Sequence, residues 1–270
     1  MANAVTGEGG GGVRCSVDGD GVATLVLDRP DKRNAVMPPD WRAFEEHLDA
    51  GAADPAVKVF VVTGAGDTFC SGGDLKTMGE RLAHGTVRRS RELLRMSRAI
   101  QRFRETPKPI VATINGPAIG AGLVIALACD LRVATASATF AVPFLRVGLQ
   151  PDFGGAYFLP RALGTARTFE LLWTGDSFGA EEAREMGLVN RVFADDAFAT
   201  DTAALVRRIA RQPAGALAMS KLTVYRGAEQ TLRELLDLEA LAQTVLSKSE
   251  DAAEGVRAFV EKRKPAFRGE

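Results

Sequence analysis

Histidine and cysteine are scarce in this 270-residue chain, net charge is absent, and no long apolar run occurs. Each shortage excludes a class of function. With only His47 and His84, and no GxSxG elbow, a serine triad would have no well-placed base. The three cysteines, Cys15, Cys70 and Cys129, are odd in number, far apart and without CxxC spacing, which argues against a disulfide framework and a zinc site and fits a reducing cytoplasm. Lys plus Arg and Asp plus Glu both number 34, so there is no general field to attract a polyanion, and nucleic acid is a poor partner. A membrane helix needs roughly 18 apolar residues in a row. The longest candidate, Ile119 to Cys129, is interrupted by Gly120 and Gly122, so no membrane span is expected. The opening stretch MANAVTGEGGGGVR lacks the apolar core of a secretory signal and reads as a flexible tail over residues 1–12.

What the chain does contain is enough apolar residue, 46%, for one full core and a smaller appendage. Val22–Asp28 and Val57–Thr63 are β-branched runs. Between them Pro38–Ala50 has helical spacing with Pro at its entry, giving a βαβ unit and hence a largely parallel sheet. A basic amphipathic helix is expected over Arg88–Arg104, a buried strand over Ile110–Ile114 and an apolar helix over Leu123–Cys129. Helical periodicity then recurs in Thr165–Thr174, Ala180–Met186, Ala199–Ala210, Ala214–Val224 and Leu232–Leu246, with one short strand at Leu188–Val192. The fold class is α/β, organised as a core over 13–195 and a helical C-terminal region over 196–270.

Two glycine-rich turns each follow a strand: DTFCSGGDL, Asp67–Leu75, and NGPAIGAGL, Asn115–Leu123. Neither has the order of a phosphate loop or a dinucleotide fingerprint. Each can present backbone N–H groups at a helix start to an anion or a developing oxyanion, and two in succession favour that use over mere tight packing.

The segments ATLVLDRPDKRNA, FCSGGDL, INGPAIGAGLVIALACDLRVA, FAVPFLRVGLQPDFGG and TGDSFGAEEAREMGLVNRV, in this order and spacing, resemble the crotonase superfamily of enoyl-CoA hydratases and isomerases. The likeness spans roughly residues 15–268. It implies a spiral of ββα units around an acyl-CoA thioester, a helical C-terminal trimerisation region, and no metal or redox cofactor. By position, the N–H groups of Gly73 and Ala121 would form the oxyanion hole. Ala121 stands where the family often has glycine, which leaves the N–H in place. Substrate or CoA contacts would come from Lys32, Arg33 and Ala35, from Ser71, Gly72, Asp74 and Leu75, and from Phe144. Lys264 and Phe267 would reach a CoA site, often that of a neighbouring subunit.

The carboxylates depart from the hydratase pattern. Family hydratases use two glutamates, and the matching positions here are Val124 and Phe144. Several isomerases of the superfamily instead carry their acid at the position matching Asp152, in a stretch similar to PFLRVGLQPD. One base suffices for a double-bond shift, because it takes a proton from C2 and returns it at C4 while the oxyanion hole holds the dienolate. Burial beside Phe144, Leu149 and Phe153 is expected to raise the pKa of Asp152. The reading is an enoyl-CoA isomerase with Asp152 as its shuttling base. A hydratase using Asp152 with water is the alternative, and a catalytically weak acyl-CoA-binding paralogue is the rival from another class. Asp74 and Asp130 read first as caps or turn formers, and His84 as part of a polar flap. The apolar stripe Leu232, Leu235, Leu236, Leu238 and Leu241 suggests self-association, and the resemblance makes that a homotrimer or a dimer of trimers.

Overall fold

The computed structural model describes residues 12–269, so the expected N-terminal tail lies outside the described residues except for Gly12. The main sheet opens with an antiparallel hairpin of β1 (Val13–Val17) and β2 (Val22–Leu27). It continues in parallel through β3 (Val59–Gly64), β4 (Ile110–Ile114), β6 (Leu131–Thr135) and β9 (Arg191–Phe193), in the order β1-β2-β3-β4-β6-β9. Leu25 pairs with Val62, Val62 with Ala112, and Thr113 with Val133. A smaller sheet joins β5 (Ala118–Ile119), β7 (Thr139–Ala141) and β8 (Phe178–Gly179), and Cys70 extends it by bridging to Ala118.

Side-chain alternation divides the core in two. Phe60, Val62, Ile110, Ala112 and Ile114 pack under α1 (Pro38–Ala53), α3 (Thr86–Glu105) and α4 (Ala121–Ala128). Val59, Val61, Val111 and Val133 face the other way and are covered by Val206 and Ala210 of α8 (Phe198–Ala210). Strands buried on both faces need no polar alternation, which is why these runs are continuously apolar. The chain repeats one pattern: a long strand, a short pairing segment, then helix. β3 leads through Cys70 to α2 (Leu75–Leu82) and α3; β4 leads through β5 to α4; β6 leads through β7 to α5 (Gly155–Leu163) and α6 (Thr165–Thr174). This is the ββα spiral of the crotonase fold.

After α7 (Ala180–Glu185), the remaining helices are α8, α9 (Ala214–Gly227), α10 (Leu232–Leu246) and α11 (Glu250–Val260). No helix among the described residues is long and apolar enough to cross a membrane.

Several boundaries differ from expectation for local reasons. The strand expected from Val57 begins at Val59, because the Val57 N–H closes a turn on the Asp54 carbonyl at 3.1 Å. The strand expected at Leu188–Val192 is Arg191–Phe193, because the N–H groups of Leu188 and Val189 donate to the Ala183 carbonyl and finish α7. The apolar helix starts at Ala121 rather than Leu123. The polar flap is helical, formed by α2 and the first turns of α3, and α2 buries none of its residues.

Candidate active site

The site begins where the two glycine-rich turns are laced together. The Cys70 N–H donates to the Pro117 carbonyl at 3.0 Å and the Ile119 N–H to the Cys70 carbonyl at 2.9 Å. On the outer side, the Val36 N–H donates to the Gly72 carbonyl at 2.8 Å and the Asp74 N–H to the Val36 carbonyl at 3.1 Å. In such a parallel bridge the flanking residues bond to Val36, so the N–H of Gly73 itself points the opposite way. It finds no partner among the described residues, and neither does the N–H of Ala121, the first residue of α4. Both expected donors are therefore free.

Two glycines make this approach possible. Gly72 has φ +100°, and a Cβ there would stand 2.9 Å from the Ile119 carbonyl oxygen and 3.6 Å from the Ala121 nitrogen. A Cβ on Gly122 would stand 2.3 Å from the Cys70 carbonyl oxygen, well inside contact distance. Ala121 itself is 5% exposed and keeps its methyl without displacing either turn.

Asp152 is half-buried in the loop before α5, where its carbonyl accepts from the Gly155 N–H at 2.9 Å. The next residue, Phe153, has φ +50°, a conformation that costs a bulky residue free energy and persists only when packing imposes it. Its ring stacks on Trp41 with centroids 4.2 Å apart, and this contact fixes the loop that carries the carboxyl. Desolvation pushes the Asp152 pKa up to about 6, although its own backbone N–H and the Arg89 guanidinium pull it the other way. Asp74 behaves oppositely. It caps α2, with Oδ1 accepting from the Thr77 N–H at 3.0 Å and Oδ2 from Arg29 Nη2 at 3.3 Å, and these bonds hold its carboxyl below the usual range.

A cavity of about 30 Å³ lies between these groups. Gly73, Asp74 and Asp152 form one part of its wall; Trp41, Met78 and Phe153 supply apolar surface; Arg81 and Arg89 enter from the flap. That volume matches about one water molecule, so an acyl group requires the flap to move outward. A helix with no buried residue has little to hold it closed.

The other expected residues lie in several places around the fold. Lys32 and Arg33 are exposed and Ala35 half-buried in a segment that joins the first glycine turn, where the Ser71 N–H donates to the Arg33 carbonyl at 3.0 Å. Leu75 is exposed at the start of α2, while Phe144 lies against Gly120 rather than in the cavity wall. Val124, fully buried, packs against Gly155, so apolar side chains fill both positions matching the hydratase glutamates. Lys264 and Phe267 do not line the Asp152 cavity within one chain; Phe267 packs beside Gly255 in a groove with Gly215 and Leu246. Asp130 is structural, accepting from the Ile110 N–H at 2.7 Å and pairing with Lys221 at 2.9 Å. His84 reaches Glu92 at 3.2 Å within the flap.

Sequence reading missed Trp41, Met78, Arg81 and Arg89. Arg89 carried a usable signal. At helical spacing it shares a face with Leu93, Met96, Ile100 and Phe103, all buried or packed on the core.

Comparison with known proteins agrees with this geometry. The family model for enoyl-CoA hydratase/isomerase matches residues 18–270. A probable enoyl-CoA hydratase of Rhodobacter capsulatus is 38% identical over 257 residues, 93% of this chain and 95% of that one. The 1,2-epoxyphenylacetyl-CoA isomerase of Escherichia coli is 35% identical over 250 residues, covering 92% and 95%. The crystal structure of an enoyl-CoA hydratase from Mycobacterium smegmatis superposes with a TM-score of 0.89 at 34% identity, covering 95% of this chain and 98% of the other. The chain thus belongs to the enoyl-CoA hydratase/isomerase family, the crotonase superfamily.

Proposed function

We propose that the protein is an enoyl-CoA isomerase that moves a double bond along an acyl-CoA thioester. The observation that carries this reading is a single available carboxylate: Asp152 is desolvated in the cavity that Gly73 lines, while Val124 and Phe144 leave no second acid at the hydratase positions. Asp74 is committed to Thr77 and Arg29 and does not compete.

The thioester oxygen accepts from the free N–H groups of Gly73 and Ala121. Asp152 takes a proton from C2 of a 3-enoyl thioester, and the electron pair moves through the C1–C2 bond onto that oxygen as a dienolate. The same carboxyl returns the proton at C4, the double bond forms between C2 and C3, and the oxygen regains its carbonyl bond. No atom or electron is gained or lost, so the cycle calls for no cofactor beyond the CoA carried by the substrate. Each oxyanion donor contributes on the order of 3 kcal/mol to lowering such a barrier.

Lys32 and Arg33, exposed beside the first glycine turn, are placed to meet CoA phosphates, and Lys264 and Phe267 to serve a neighbour's site. The assembly proposed is a homotrimer or dimer of trimers. Leu232, Leu236 and Leu241 of α10 are each more than half exposed in the single chain, an apolar surface that a neighbouring subunit would cover. Light scattering of the intact chain should give a multiple of three protomers; a mass near 28.7 kDa overturns the assembly.

The name of the Rhodobacter capsulatus relative favours a second reading, hydration of a 2-enoyl-CoA with Asp152 handling the water. Purified protein offered 3-hexenoyl-CoA and crotonyl-CoA separates the two. Conversion of the first to its 2-enoyl isomer with negligible hydration of the second supports the isomerase; fast hydration of crotonyl-CoA overturns it. Tight binding with turnover of neither leaves the acyl-CoA-binding paralogue.

A further inference from the structure

Two guanidinium groups of the flap, Arg81 and Arg89, line the cavity, and one of them lacks a full set of hydrogen bonds. Glu92 on α3 is shared by Arg81, whose Nε lies 3.3 Å from Oε2, and by Arg88, whose Nε lies 3.2 Å from Oε1; His84 Nδ1 lies 3.2 Å from the same Oε1 without making a hydrogen bond. Arg89 comes only within 3.8 Å of Oε2, and its buried Nη1 has no hydrogen-bond partner among the described residues. Arg88 is largely exposed and outside the cavity wall, so Arg81 and Arg89 are the cavity guanidiniums that share Glu92, and Arg89 is the more distant of the two. Asp152 and Asp74 are the carboxylates lining the cavity; Asp74 is taken by Arg29 and Thr77, and Asp152 forms no ion pair within 4 Å of Arg89.

This arrangement is costly unless something completes it. A buried donor without a partner costs about 1–3 kcal/mol, and Arg89 stands on a helix face that is otherwise Leu93, Met96, Ile100 and Phe103, where an apolar residue would pack without that cost. Arg81 holds Glu92 through Nε but has a second, weakly engaged donor. Its Nη2 is directed at the Met96 sulfur at 3.8 Å, a weak acceptor that an oxygen anion would displace. Both guanidiniums line the cavity together with apolar surface from Trp41, Met78 and Phe153, the combination that suits a hydrocarbon chain ending in an anion. Paired N–H donors from guanidinium groups match the two oxygens of a carboxylate better than any single neutral acceptor.

We infer that Arg81 and Arg89 form a subsite for a carboxylate on the acyl group, so that the substrate is the mono-CoA thioester of a dicarboxylic acid. The inference rests on the acyl-CoA reading above but not on the choice between isomerisation and hydration. The Arg89 guanidinium is then a specificity device: a neutral acyl chain leaves its Nη1 without a hydrogen bond, and an ω-carboxylate supplies one.

Binding of saturated thioesters, which cannot react by either route, provides the test. Calorimetry on the full chain would compare succinyl-, adipoyl- and suberoyl-CoA with butanoyl-, hexanoyl- and octanoyl-CoA. At the best chain length the dicarboxylic thioester should bind about tenfold or more tightly than its neutral counterpart, as expected for a charge-assisted pair. In Arg89→Met that ratio should fall towards one, in Arg81→Met it should fall in part, and Arg89→Lys should keep an intermediate ratio. A wild-type ratio near one at every length, or a ratio that survives in the Arg81→Met/Arg89→Met double variant, overturns the subsite and leaves the acyl-CoA reading standing. Failure of every thioester to bind overturns both.

Discussion

The two halves of the site are built on opposite principles. The floor, formed by residues 70–73 and 119–122, is held by backbone hydrogen bonds between segments far apart in sequence, and its spacing is set by glycines whose neighbours leave no room for a Cβ. The roof, α2 and the start of α3, buries little, shows Leu75, Leu82 and Val87 to solvent, and is knit by side-chain charges around Glu92. In the proposed reaction the floor fixes where charge develops, and the roof decides what is admitted to it. Positioning that must hold to a fraction of an ångström rests on main chain, and discrimination rests on side chains that can move.

The largest effect should come from removing the base on the floor's edge. Asp152→Asn should lower kcat for 3-enoyl-CoA isomerisation by about a hundred- to ten-thousand-fold while saturated acyl-CoA still binds. Retention of wild-type turnover removes Asp152 from its role. The same variant should be more stable at neutral pH. A carboxyl whose folded-state pKa is raised from 3.8 to about 6 contributes stability below pH 3.8 that is lost as pH rises through 6, and the amide escapes this loss. A rise of a few degrees in Tm at pH 7, shrinking at pH 4, is the expected signature.

Next, Gly122→Ala should separate the floor from the roof. Its methyl would press on the Cys70 carbonyl and push the two turns apart, costing about 1–3 kcal/mol of stability and much of the oxyanion stabilisation. Should the variant isomerise substrate as well as wild type, the turns are not the rigid element described. A smaller effect is the pH profile: kcat/KM should fall about tenfold per pH unit below pH 6, as Asp152 takes up its proton, and level off above. An unchanged rate at pH 5 contradicts a base of this pKa. The smallest effect should fall on the roof, where Leu82→Gln, at a side chain 64% exposed, should move global stability by no more than about 0.5 kcal/mol. A loss of several kcal/mol there would mean that the roof is packed as tightly as the floor.

The same contrast governs what could be read from the sequence. β2, β3 and β4 declare themselves because strands buried on both faces are continuous β-branched runs. β5, β7 and β8 do not, since they have two or three residues each and exist only through their partners. α5 is hidden by its Gly154-Gly155 start and by Pro160 in its interior, which tertiary packing overrides. Gly73, Ala121 and Asp152 were legible as a pattern of spaced motifs in family resemblance, whereas Trp41 and Met78 reach the cavity only through the fold. Arg89 looked like one more charge on a basic helix; its place on the apolar face distinguishes it, and that shows only when each position is assigned to a face.

The lacing of Val36, Gly72 and Ile119 also bears on how the protein matures. The Val36–Gly72 and Cys70–Ile119 hydrogen bonds join residues that are 36 and 49 positions apart, so the proposed oxyanion donors come into register only after β3 and β4 have paired and their connecting helices have docked. Contacts of this range form late on a folding route. Recovery of catalysis during refolding should therefore trail recovery of helical signal, making turnover a reporter of the completed spiral rather than of any one of its turns.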